Sequence, residues 1–408
     1  MLLGKVFKNI DQRYKSISFN NIRSNSKYCK ANDIFFAIDG NNSNGNNYIG
    51  DAINKGAKII VSNLKIDGFD KNKILFINSE NPRKLLSEIV SKFYNKKPKN
   101  IIAVTGTNGK TSIANFYYQI LSLNKKNVAS IGTLGIESKK LKLKTNNTTI
   151  DPISLHMILK KLKENKIENV ILEASSHGLK QHRLNNINFN TALFTNLSRD
   201  HLDYHKTYKD YFNSKLILFK NLLKSKGNII FDEKIPEAKE LIKISKKKKF
   251  KMITFNNNKS FIKIKKIQPI NNYKKVYFSF NQKNYSFMTS LVGNIQIKNL
   301  IFAIVAAYLS KVKIKDILKS IKKIKPISGR LENIGKLKNK SNIILDYAHT
   351  PDALKTVILN CKEDYPLSKI SLVFGCGGNR DKDKRAIMGS IANKYCDIIY
   401  ITDDNPRF

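Results

Sequence analysis

Continuous apolar runs alternate with amphipathic stretches through the middle of the chain, and this alternation predicts its architecture. Four runs are short enough for buried strands, at residues 101–104, 170–172, 191–194 and 228–231. After the first of them, Ile113, Phe116 and Ile120 recur at the spacing of one helix face. Strands that alternate with helices are typical of a parallel, doubly wound sheet. We therefore predict a central α/β domain over residues 98–325.

The segment before this region predicts a smaller domain. Residues 1–97 contain two predicted strands, at 34–38 and 58–61, and a short predicted helix over 51–56 that Gly56 ends. The segment 96–100 is polar and carries a proline, as linkers at domain boundaries often do. Residues 1–97 are thus predicted to form a separate N-terminal α/β domain.

The periodicity changes in the second half of the central region. Residues 250–290 alternate polar and apolar positions, which favours antiparallel strands added to the parallel sheet. Residues 300–309 are almost entirely apolar and predict a buried helix. This is the longest apolar run, and it is far shorter than the roughly 20 residues that a membrane span needs.

A third unit begins near Pro326. Predicted strands at 343–345, 371–374 and 398–401 indicate a Rossmann-like domain over residues 326–408. About 80 residues are few for such a domain, so we expect that its C-terminal end is missing. The predicted fold class is therefore α/β with three domains, the last of them incomplete.

The charge balance is strongly basic and raises the question of a nucleic-acid partner. The chain has 408 residues, and 74 Lys and Arg against 31 Asp and Glu give a formal net charge of +43. Lys, Asn and Ile are all frequent, all three have AT-rich codons, and the lysines are spread along the chain rather than gathered among aromatic residues. We interpret the charge as compositional bias. We expect a basic surface that attracts anionic substrates, and no nucleic-acid partner.

Two further features concern the cellular compartment. The first five residues lack the apolar region of a signal peptide. Cys29, Cys361, Cys376 and Cys396 lie far apart with no C-x-x-C pair, which disfavours a disulfide framework or a zinc knuckle. We expect a cytoplasmic protein that does not associate with membranes.

Residues 105–112 (Thr-Gly-Thr-Asn-Gly-Lys-Thr-Ser) lie between a predicted strand and a predicted helix. Glycines allow backbone N–H groups to face phosphate oxygens, and a helix N-terminus adds partial positive charge. Lys110 is suited to the β- and γ-phosphates, and the Thr111 hydroxyl is suited to Mg²⁺. The spacing departs from G-x-x-x-x-G-K-[ST], because Val104 stands five residues before Gly109. An ordinary glycine turn is the alternative, but this sequence after a buried strand favours a phosphate loop.

Polar side chains also follow the next two predicted strands. Residues 172–179 include Glu173, and residues 195–205 include Asp200 and His201. A carboxylate and an imidazole at neighbouring strand ends can share a hard cation that bridges phosphates. Either histidine alone would be interpreted as a polar surface residue. Three strand ends with such side chains favour a metal and phosphate centre.

These motifs resemble those of the Mur ligases, the ATP-dependent amino-acid ligases of peptidoglycan synthesis, and folylpolyglutamate synthetases carry a similar loop. Segments 172–179 and 195–205 resemble the members that add the third residue of the peptide stem. The resemblance implies a central P-loop ATPase domain whose ATP-binding residues include Gly106, Thr107, Asn108, Gly109, Lys110 and Thr111. It implies Mg²⁺ held by Thr111, Glu173 and His201, and by Lys215 if that lysine is carbamylated. An ordinary surface lysine is the alternative for Lys215. The implied catalytic residues are Lys110, Lys215, His201 and Arg330.

The resemblance extends to the segments that bind the nucleotide sugar. Residues 25–27 (Asn-Ser-Lys) resemble the family's Asp-Ser-Arg segment, and residues 147–149 resemble its Asn-Thr-Thr segment. The implied UDP-sugar contacts are Ser24, Ser26, Asn41, Asn42, Ser43, Asn147, Thr148, Thr149, Ser175, Gln181 and Arg183. Hydroxyls, amides and a guanidinium suit a polar, anionic sugar that bears a peptide. Residues 1–97 would then be a UDP-sugar-binding domain.

Two segments resemble those that close over ATP in the family, at 328–332 and 346–352. They imply nucleotide contacts at Arg330, Asp346 and His349, with Asn299 as a further contact. The glycine-rich turn 374–385 and the Asp-Asn-Pro-Arg segment resemble those that select meso-diaminopimelate, and the implied contacts are Arg380, Asp404, Asn405, Pro406 and Arg407. Arg407 is suited to the distal carboxylate, which lysine lacks. The family's Gly-Lys-Gly-His-Glu segment would follow residue 408.

The resemblance thus implies a monomeric ligase that adds meso-diaminopimelate to the UDP-N-acetylmuramoyl dipeptide, with ATP and Mg²⁺ as cofactors. A lysine-adding or folylpolyglutamate-type ligase is the alternative within the enzyme class. Outside it, the alternatives are a basic P-loop protein that binds nucleic acid and a folded but inactive truncated product.

Overall fold

The computed structural model of the chain describes residues 1–40, 43–64, 73–257, 260–378 and 383–405. Contacts divide the chain into two compact units. Unit 1 consists of Met1–Lys99, Thr149–Glu168 and His177–Asn188, and unit 2 consists of Asn100–Thr148, Asn169–Ser176 and Phe189–Phe408. The polypeptide therefore returns to unit 1 twice after it has entered unit 2.

The secondary-structure elements are numbered in chain order. The strands are β1 (Ile22–Arg23), β2 (Ile34–Phe36), β3 (Ile59–Ser62), β4 (Leu75–Asn78), β5 (Asn100–Thr105), β6 (Val128–Gly132), β7 (Gly135–Ser138), β8 (Lys142–Leu143), β9 (Asn169–Glu173), β10 (Phe189–Phe194), β11 (Leu223–Asp232), β12 (Lys251–Phe255), β13 (Ile262–Ile270), β14 (Tyr273–Phe280), β15 (Lys283–Thr289), β16 (Glu332–Lys336), β17 (Asn342–Leu345), β18 (Ser371–Phe374) and β19 (Ile398–Ile401). The helices are α1 (Ile49–Asn54), α2 (Pro82–Phe93), α3 (Lys110–Leu123), α4 (Pro152–Glu164), α5 (Ser176–Lys180), α6 (Leu202–His205), α7 (Tyr208–Ile217), α8 (Ala238–Lys248), α9 (Asn294–Leu309), α10 (Ile314–Ile321), α11 (Pro351–Asp364) and α12 (Asp383–Tyr395). Short 3₁₀ turns occupy Leu3–Lys5, Gln12–Tyr14, Ser26–Tyr28 and Gly45–Tyr48, and a π-helical turn, Leu218–Leu222, continues α7.

Unit 1 contains, in its described residues, a four-stranded parallel sheet in the order β1-β2-β3-β4. Alternate residues of β2 point to opposite faces of the sheet. Ile34 and Phe36 join the core that includes α2, whereas Phe35 joins the core that includes Ala52 of α1. The strands and the short helix predicted within residues 1–97 are confirmed, and the helix ends two residues before Gly56.

Unit 2 contains, in its described residues, an eleven-stranded sheet in the order β15-β14-β13-β12-β11-β10-β5-β9-β6-β7-β8. The central strands from β12 to β6 are parallel to their neighbours. Strand β13 pairs in parallel with β12, and antiparallel pairs then extend the sheet at both edges, through β13–β15 at one and β6–β8 at the other. The predicted parallel sheet and the antiparallel addition over residues 250–290 are confirmed.

Helices α3 and α9 form the main core of unit 2 with this sheet. Ile113, Phe116 and Ile120 of α3 are fully buried, as their helical spacing predicts. Helix α9 is apolar on most sides, and its residues from Leu300 to Ala307 are buried. It confirms the buried helix predicted over residues 300–309 and begins earlier, at Asn294.

The C-terminal part of unit 2 differs from the predicted doubly wound arrangement. Strands β16 and β17 form an antiparallel pair, and β18 and β19 form a separate parallel pair. All three predicted strands exist, but β17 pairs with β16. The short link between those strands permits only antiparallel pairing, whereas parallel pairing needs a crossover such as α12. The domain boundaries at 97/98 and 325/326 remain a prediction.

The four cysteines are free thiols. Among helices in the described ranges, none has the length and apolarity of a membrane span.

Candidate active site

Three of the predicted segments meet where adjacent strands end. Strand β5 lies between β10 and β9, and all three run parallel. The carboxyl ends of parallel strands lie at one edge of a sheet, which is where open α/β sheets bind ligands. The loop after Thr105, the side chain of Glu173 and the segment after Phe194 therefore share this edge.

Glycines shape the loop between β5 and α3. Gly106 has a φ of 140° and Gly109 has a φ of 90°, a conformation that favours glycine. A Cβ atom at Gly106 would lie 1.9 Å from Thr195 Oγ1, and one at Gly109 would lie 2.6 Å from Asn299 Oδ1. The loop therefore needs glycine at both positions, because the segment after β10 and helix α9 approach it so closely.

Hydrogen bonds hold the loop against the segment after β10. Thr107 N donates to Asn196 O at 2.9 Å, and Asn108 N donates to Asn196 Oδ1 at 3.0 Å. Thr195 Oγ1 donates to Asn108 O at 2.6 Å. These bonds hold the loop backbone against the segment after β10.

Lys110 begins α3 and turns back over the loop. Its Nζ donates to Gly106 O at 2.9 Å and to Thr107 O at 2.8 Å. Burial lowers the pKa of Lys110, and the negative charges of Glu173 and Asp200 oppose this shift. The side chain is thus anchored at the helix N-terminus, where partial positive charge favours anions.

Glu173 is a buried carboxylate, 2% exposed, at the end of β9. Its Oε2 accepts from Thr111 Oγ1 at 2.9 Å and from Thr133 Oγ1 at 3.1 Å, and its Oε1 accepts from Thr133 N at 2.9 Å. A Cβ at Gly132 would lie 2.1 Å from Oε1, so only glycine leaves room for this carboxylate. The structure thereby joins two predicted metal ligands, Thr111 and Glu173.

Asp200 and His201 lie beyond β10. His201 Nε2 is 3.4 Å from Asp200 Oδ2, and His201 N donates to Asp200 Oδ1 at 2.8 Å. His201 has a left-handed backbone with φ 52°, and its side chain is 37% exposed. The neighbouring carboxylate can therefore orient the imidazole while one side of the ring faces the solvent.

Lys215 lies on α7 and is 1% exposed. Its Nζ donates to Gly106 O at 2.8 Å. Burial holds the pKa of Lys215 well below its usual value, and the charge of Lys110 lowers it further. The residue is therefore not an ordinary surface lysine.

The predicted nucleotide contacts are linked through α9. Asn299 Nδ2 donates to Gln296 Oε1 at 3.1 Å, and Gln296 Nε2 donates to Arg330 O at 2.8 Å. Asp346 Oδ2 accepts from Leu331 N at 2.7 Å, and burial raises the pKa of Asp346. These bonds fix the backbone around Arg330.

The Tyr347 ring lies close to two of these predicted contacts. The Arg330 guanidinium lies 5.0 Å from the centre of the Tyr347 ring, and the His349 ring lies 5.3 Å from the same ring. Lys384 Nζ donates to His349 O at 2.9 Å. Tyr347 thus lies within contact range of both Arg330 and His349.

One cavity of about 580 Å³ in unit 2 collects most of the predicted residues of that unit. Those that line it are Thr107, Asn108, Gly109, Lys110, Thr111, Thr148, Glu173, Ser175, His201, Arg330, Asp346, His349, Asp404 and Asn405. Four others of unit 2, Gly106, Asn147, Lys215 and Asn299, are not among its lining residues. Such a volume is in the range of small-molecule sites.

The diaminopimelate segment is only partly described. Gly377 and Asp404 form a parallel bridge, and Gly378 N donates to Asn405 O at 3.2 Å. Asp404 and Asn405 border the cavity. The other three predicted contacts lie outside the described residues: Arg380, Pro406 and Arg407.

Several predicted sugar contacts belong to unit 1. Ser26 is buried, whereas Ser24 and Ser43 are exposed. Arg183 Nη2 donates to Gln181 Oε1 at 2.6 Å and its Nη1 donates to Thr149 O at 2.6 Å. The structure thus groups Thr149, Gln181 and Arg183, while Asn41 and Asn42 lie outside the described residues.

Sequence reasoning did not select three residues that line the cavity, Thr133, Tyr347 and Lys384, and it gave no separate role to Asp200 beside His201. Thr133 directly follows β6, and a search for polar residues at strand ends would have found it. Asp200 and Tyr347 adjoin predicted residues. Only the fold places Lys384 here, since it stands among many lysines.

The side chains around Glu173 bear on metal binding. In the described residues, no group of three or more His, Cys, Asp and Glu side chains is arranged to hold an ion. Mg²⁺ typically takes one or two protein oxygens and completes its shell with water and substrate phosphates. The paired oxygens of Thr111 and Glu173 fit that pattern.

Comparison with known proteins identifies the family. Residues 104–307 match the Mur ligase middle domain, and residues 329–408 match the Mur ligase, glutamate ligase domain. A protein of Rickettsia montanensis named UDP-N-acetylmuramoyl-L-alanyl-D-glutamate--2,6-diaminopimelate ligase is 40% identical over 98% of this chain and 83% of its own length. A protein of the same name from Rhizobium meliloti is 35% identical over 100% of this chain and 84% of its own length.

Solved structures agree with these matches. A structure of a UDP-N-acetylmuramoyl-L-alanyl-D-glutamate--2,6-diaminopimelate ligase has a TM-score of 0.77 and 28% identity, over 98% of this chain and 81% of that one. A MurF ligase from Thermotoga maritima in complex with ADP shares the fold. It has a TM-score of 0.64 and 17% identity, over 95% of this chain and 85% of that one.

Proposed function

The chain belongs to the Mur ligase family, and on this premise we propose that it is an ATP-dependent ligase that joins meso-diaminopimelate to UDP-N-acetylmuramoyl-L-alanyl-D-glutamate. Relatives that carry this name are 35% to 40% identical over nearly the whole chain. The observation that carries the proposal is the convergence of Lys110, Thr111 and Glu173 in one cavity at the carboxyl edge of the sheet.

The reaction follows from the chemistry of the two substrates. A carboxylate does not react directly with an amine, so its oxygen first attacks the γ-phosphorus of ATP, and ADP leaves. The diaminopimelate amine then attacks the acyl phosphate, a C–N bond forms, and inorganic phosphate leaves with the oxygen of the former carboxylate. The amine also loses a proton to the surroundings.

The residues at the loop perform positioning and charge stabilisation in this scheme. The N–H groups at the start of α3 and Lys110 hold the triphosphate, and Arg330, which lines the same cavity, stabilises negative charge in the transition state. Asn299, beside Gly109, and Asp346 and His349 position the nucleotide. Enclosing these groups excludes water, which would hydrolyse the acyl phosphate.

Mg²⁺ belongs to this proposal. Thr111 and Glu173 would hold it, and His201, on the same cavity, would be a further ligand. When bound, the ion neutralises phosphate charge and polarises the γ-phosphate.

Carbamylation of Lys215 is the second cofactor hypothesis. A buried amine 2.8 Å from the loop carbonyl of Gly106 has no carboxylate partner within the described ion pairs. Addition of CO₂ would convert this cation into an anion beside the loop. A ¹³C carbamate signal from protein in labelled bicarbonate, absent in Lys215→Arg, is the expected observation. Absence of the signal from active parent protein would remove the hypothesis.

The remaining predictions concern substrates and surroundings. Ser26, Thr148, Ser175, Gln181 and Arg183 are among the proposed contacts of the UDP-sugar, and Asp404, Asn405, Arg380 and Arg407 among those of diaminopimelate. We propose that the enzyme acts in the cytoplasm as a monomer, without nucleic acid. Light scattering that gives a dimer, or a salt-resistant shift of DNA in a gel, would contradict these statements.

An ADP-release assay tests the function. With UDP-N-acetylmuramoyl-L-alanyl-D-glutamate, ATP and Mg²⁺ present, ADP should appear when meso-diaminopimelate is added and far more slowly when L-lysine replaces it. Faster release with lysine would identify the lysine-adding alternative. Release with a folate and glutamate in place of both substrates would identify the folylpolyglutamate-type alternative.

A further inference from the structure

Tyr211 is a large, fully enclosed side chain that no part of the proposed reaction uses. It lies on α7, one helical turn before Lys215, and is 1% exposed. Its hydroxyl and its ring each contact a different part of the phosphate site.

The hydroxyl reaches the phosphate loop. Tyr211 Oη and Thr107 Oγ1 lie 3.1 Å apart, within hydrogen-bond distance, and both are buried. Thr107 Oγ1 also accepts from Ser198 N at 3.0 Å. Thr107 lines the cavity, so this bond connects α7 to a residue in contact with the ligand space.

The ring lies beneath a lysine and beside two histidines. Lys215 Nζ is 4.3 Å from the ring centre, a distance typical of a cation–π contact. The His205 ring centre is 5.2 Å away, and that of His201 is 6.2 Å away. Because Lys215 also donates to Gly106 O, the ring and the loop together determine the position of its amine.

We infer that Tyr211 is a positioning residue of the ATP site. Its hydroxyl fixes Thr107, and with it the loop that holds the phosphates, while its ring fixes Lys215 against the loop. A preorganised loop binds phosphate without first losing conformational freedom, so loss of the hydroxyl should weaken nucleotide binding. The inference rests on the phosphate-loop role in the proposed function.

A matched tyrosine separates positioning from general stability. Tyr117 lies on α3, is also fully buried, and its hydroxyl is 2.8 Å from Ser310 Oγ. It therefore makes the same kind of bond from an equally buried site. Neither Tyr117 nor Ser310, however, is among the residues that line the cavity.

The experiment compares Tyr211→Phe, Tyr117→Phe and the parent by calorimetric titration with Mg²⁺ and a nonhydrolysable ATP analogue. One neutral hydrogen bond corresponds to about a 3- to 10-fold change in an equilibrium constant. Tyr211→Phe should raise the Kd by that factor. Tyr117→Phe should leave the Kd within about 2-fold of the parent, while both variants lower the melting temperature similarly.

A third variant tests the ring. Tyr211→Leu removes both contacts, and its kcat should fall well below that of Tyr211→Phe, because Lys215 loses the surface on which it lies. Equal kcat values in these two variants would overturn the role of the ring.

The outcomes distinguish the inference from the proposed function. A Kd unchanged in Tyr211→Phe, or raised equally in Tyr117→Phe, would overturn the inference alone. A parent protein that binds the analogue but ligates nothing would overturn the proposed function alone. A parent that binds no nucleotide would overturn both.

Discussion

The phosphate site and the C-terminal strands of unit 2 differ in how fully their side chains are buried. Around the loop, Thr111, Glu173 and Lys215 are all buried and hydrogen-bonded to neighbouring elements. In the C-terminal strands, Val373 is 66% exposed and Ile401 is 78% exposed. The comparison indicates that the nucleotide is held by a rigid, preorganised wall of the cavity. The C-terminal strands, which precede the segment proposed to take the amino acid, pack one face on the small core of Leu354, Ile358 and Met388 and leave the other face exposed.

The largest expected effect comes from the rigid wall. Lys110→Ala removes the ammonium anchored over the loop and should lower ligation by at least about 10³-fold, because this charge is held directly on the loop that would bind the phosphates. The ADP-release assay measures this loss. Lys126→Ala, at an exposed position beyond the C-terminal end of the same helix, is the control and should retain full activity. Substantial turnover by Lys110→Ala would refute the role of the loop.

The next effect concerns the buried carboxylate. Glu173→Gln keeps the size of the side chain and removes its charge, so it should reduce activity by about 10²-fold and raise the Mg²⁺ concentration needed for half-maximal rate. A chelator should abolish the parent activity, and added Mg²⁺ should restore it. An unchanged Mg²⁺ requirement in the variant would place the metal elsewhere.

The proposed diaminopimelate segment should respond selectively. Arg407→Ala should raise the KM for meso-diaminopimelate by about 10- to 100-fold, the usual range for a lost bond between charged groups, with the KM for ATP unchanged. Steady-state kinetics with each substrate varied in turn would show this. A parallel rise in the KM for ATP would mean that the nucleotide site and the diaminopimelate site do not act separately.

A measurement of stability tests the difference in packing itself. Leu193→Ala, at a fully buried position of β10, should lower the free energy of unfolding by about 2–5 kcal/mol. Ile401→Ala, at a position 78% exposed, should change it by less than about 0.5 kcal/mol. Urea denaturation measures both, and similar losses in the two variants would contradict the comparison.

The sequence predicted the rigid wall well for a physical reason. Buried parallel strands appear as apolar runs, and the residues directly after them must lie at one edge of the sheet. Lys110, Glu173 and His201 follow this rule, so their common cavity could be predicted without coordinates. The glycines of the loop likewise reflect local backbone requirements.

Other parts of the site depend on contacts that sequence spacing does not encode. Thr133 bonds Glu173 only because β6 lies beside β9, and Tyr211 reaches Thr107 across the fold. The pairing of β17 with β16 was also not predicted, since an apolar run does not specify its neighbour. Likewise, no pattern along the chain shows that residues 149–168 and 177–188 rejoin unit 1.

The central claim is that ATP on the loop phosphorylates a carboxylate of the muramoyl dipeptide. The most direct test uses a dipeptide substrate whose glutamate carboxylates carry ¹⁸O, with ³¹P NMR of the phosphate that is released. The account predicts one ¹⁸O atom in the inorganic phosphate for each peptide bond formed. Unlabelled phosphate from a reaction that forms the ligated product would contradict it.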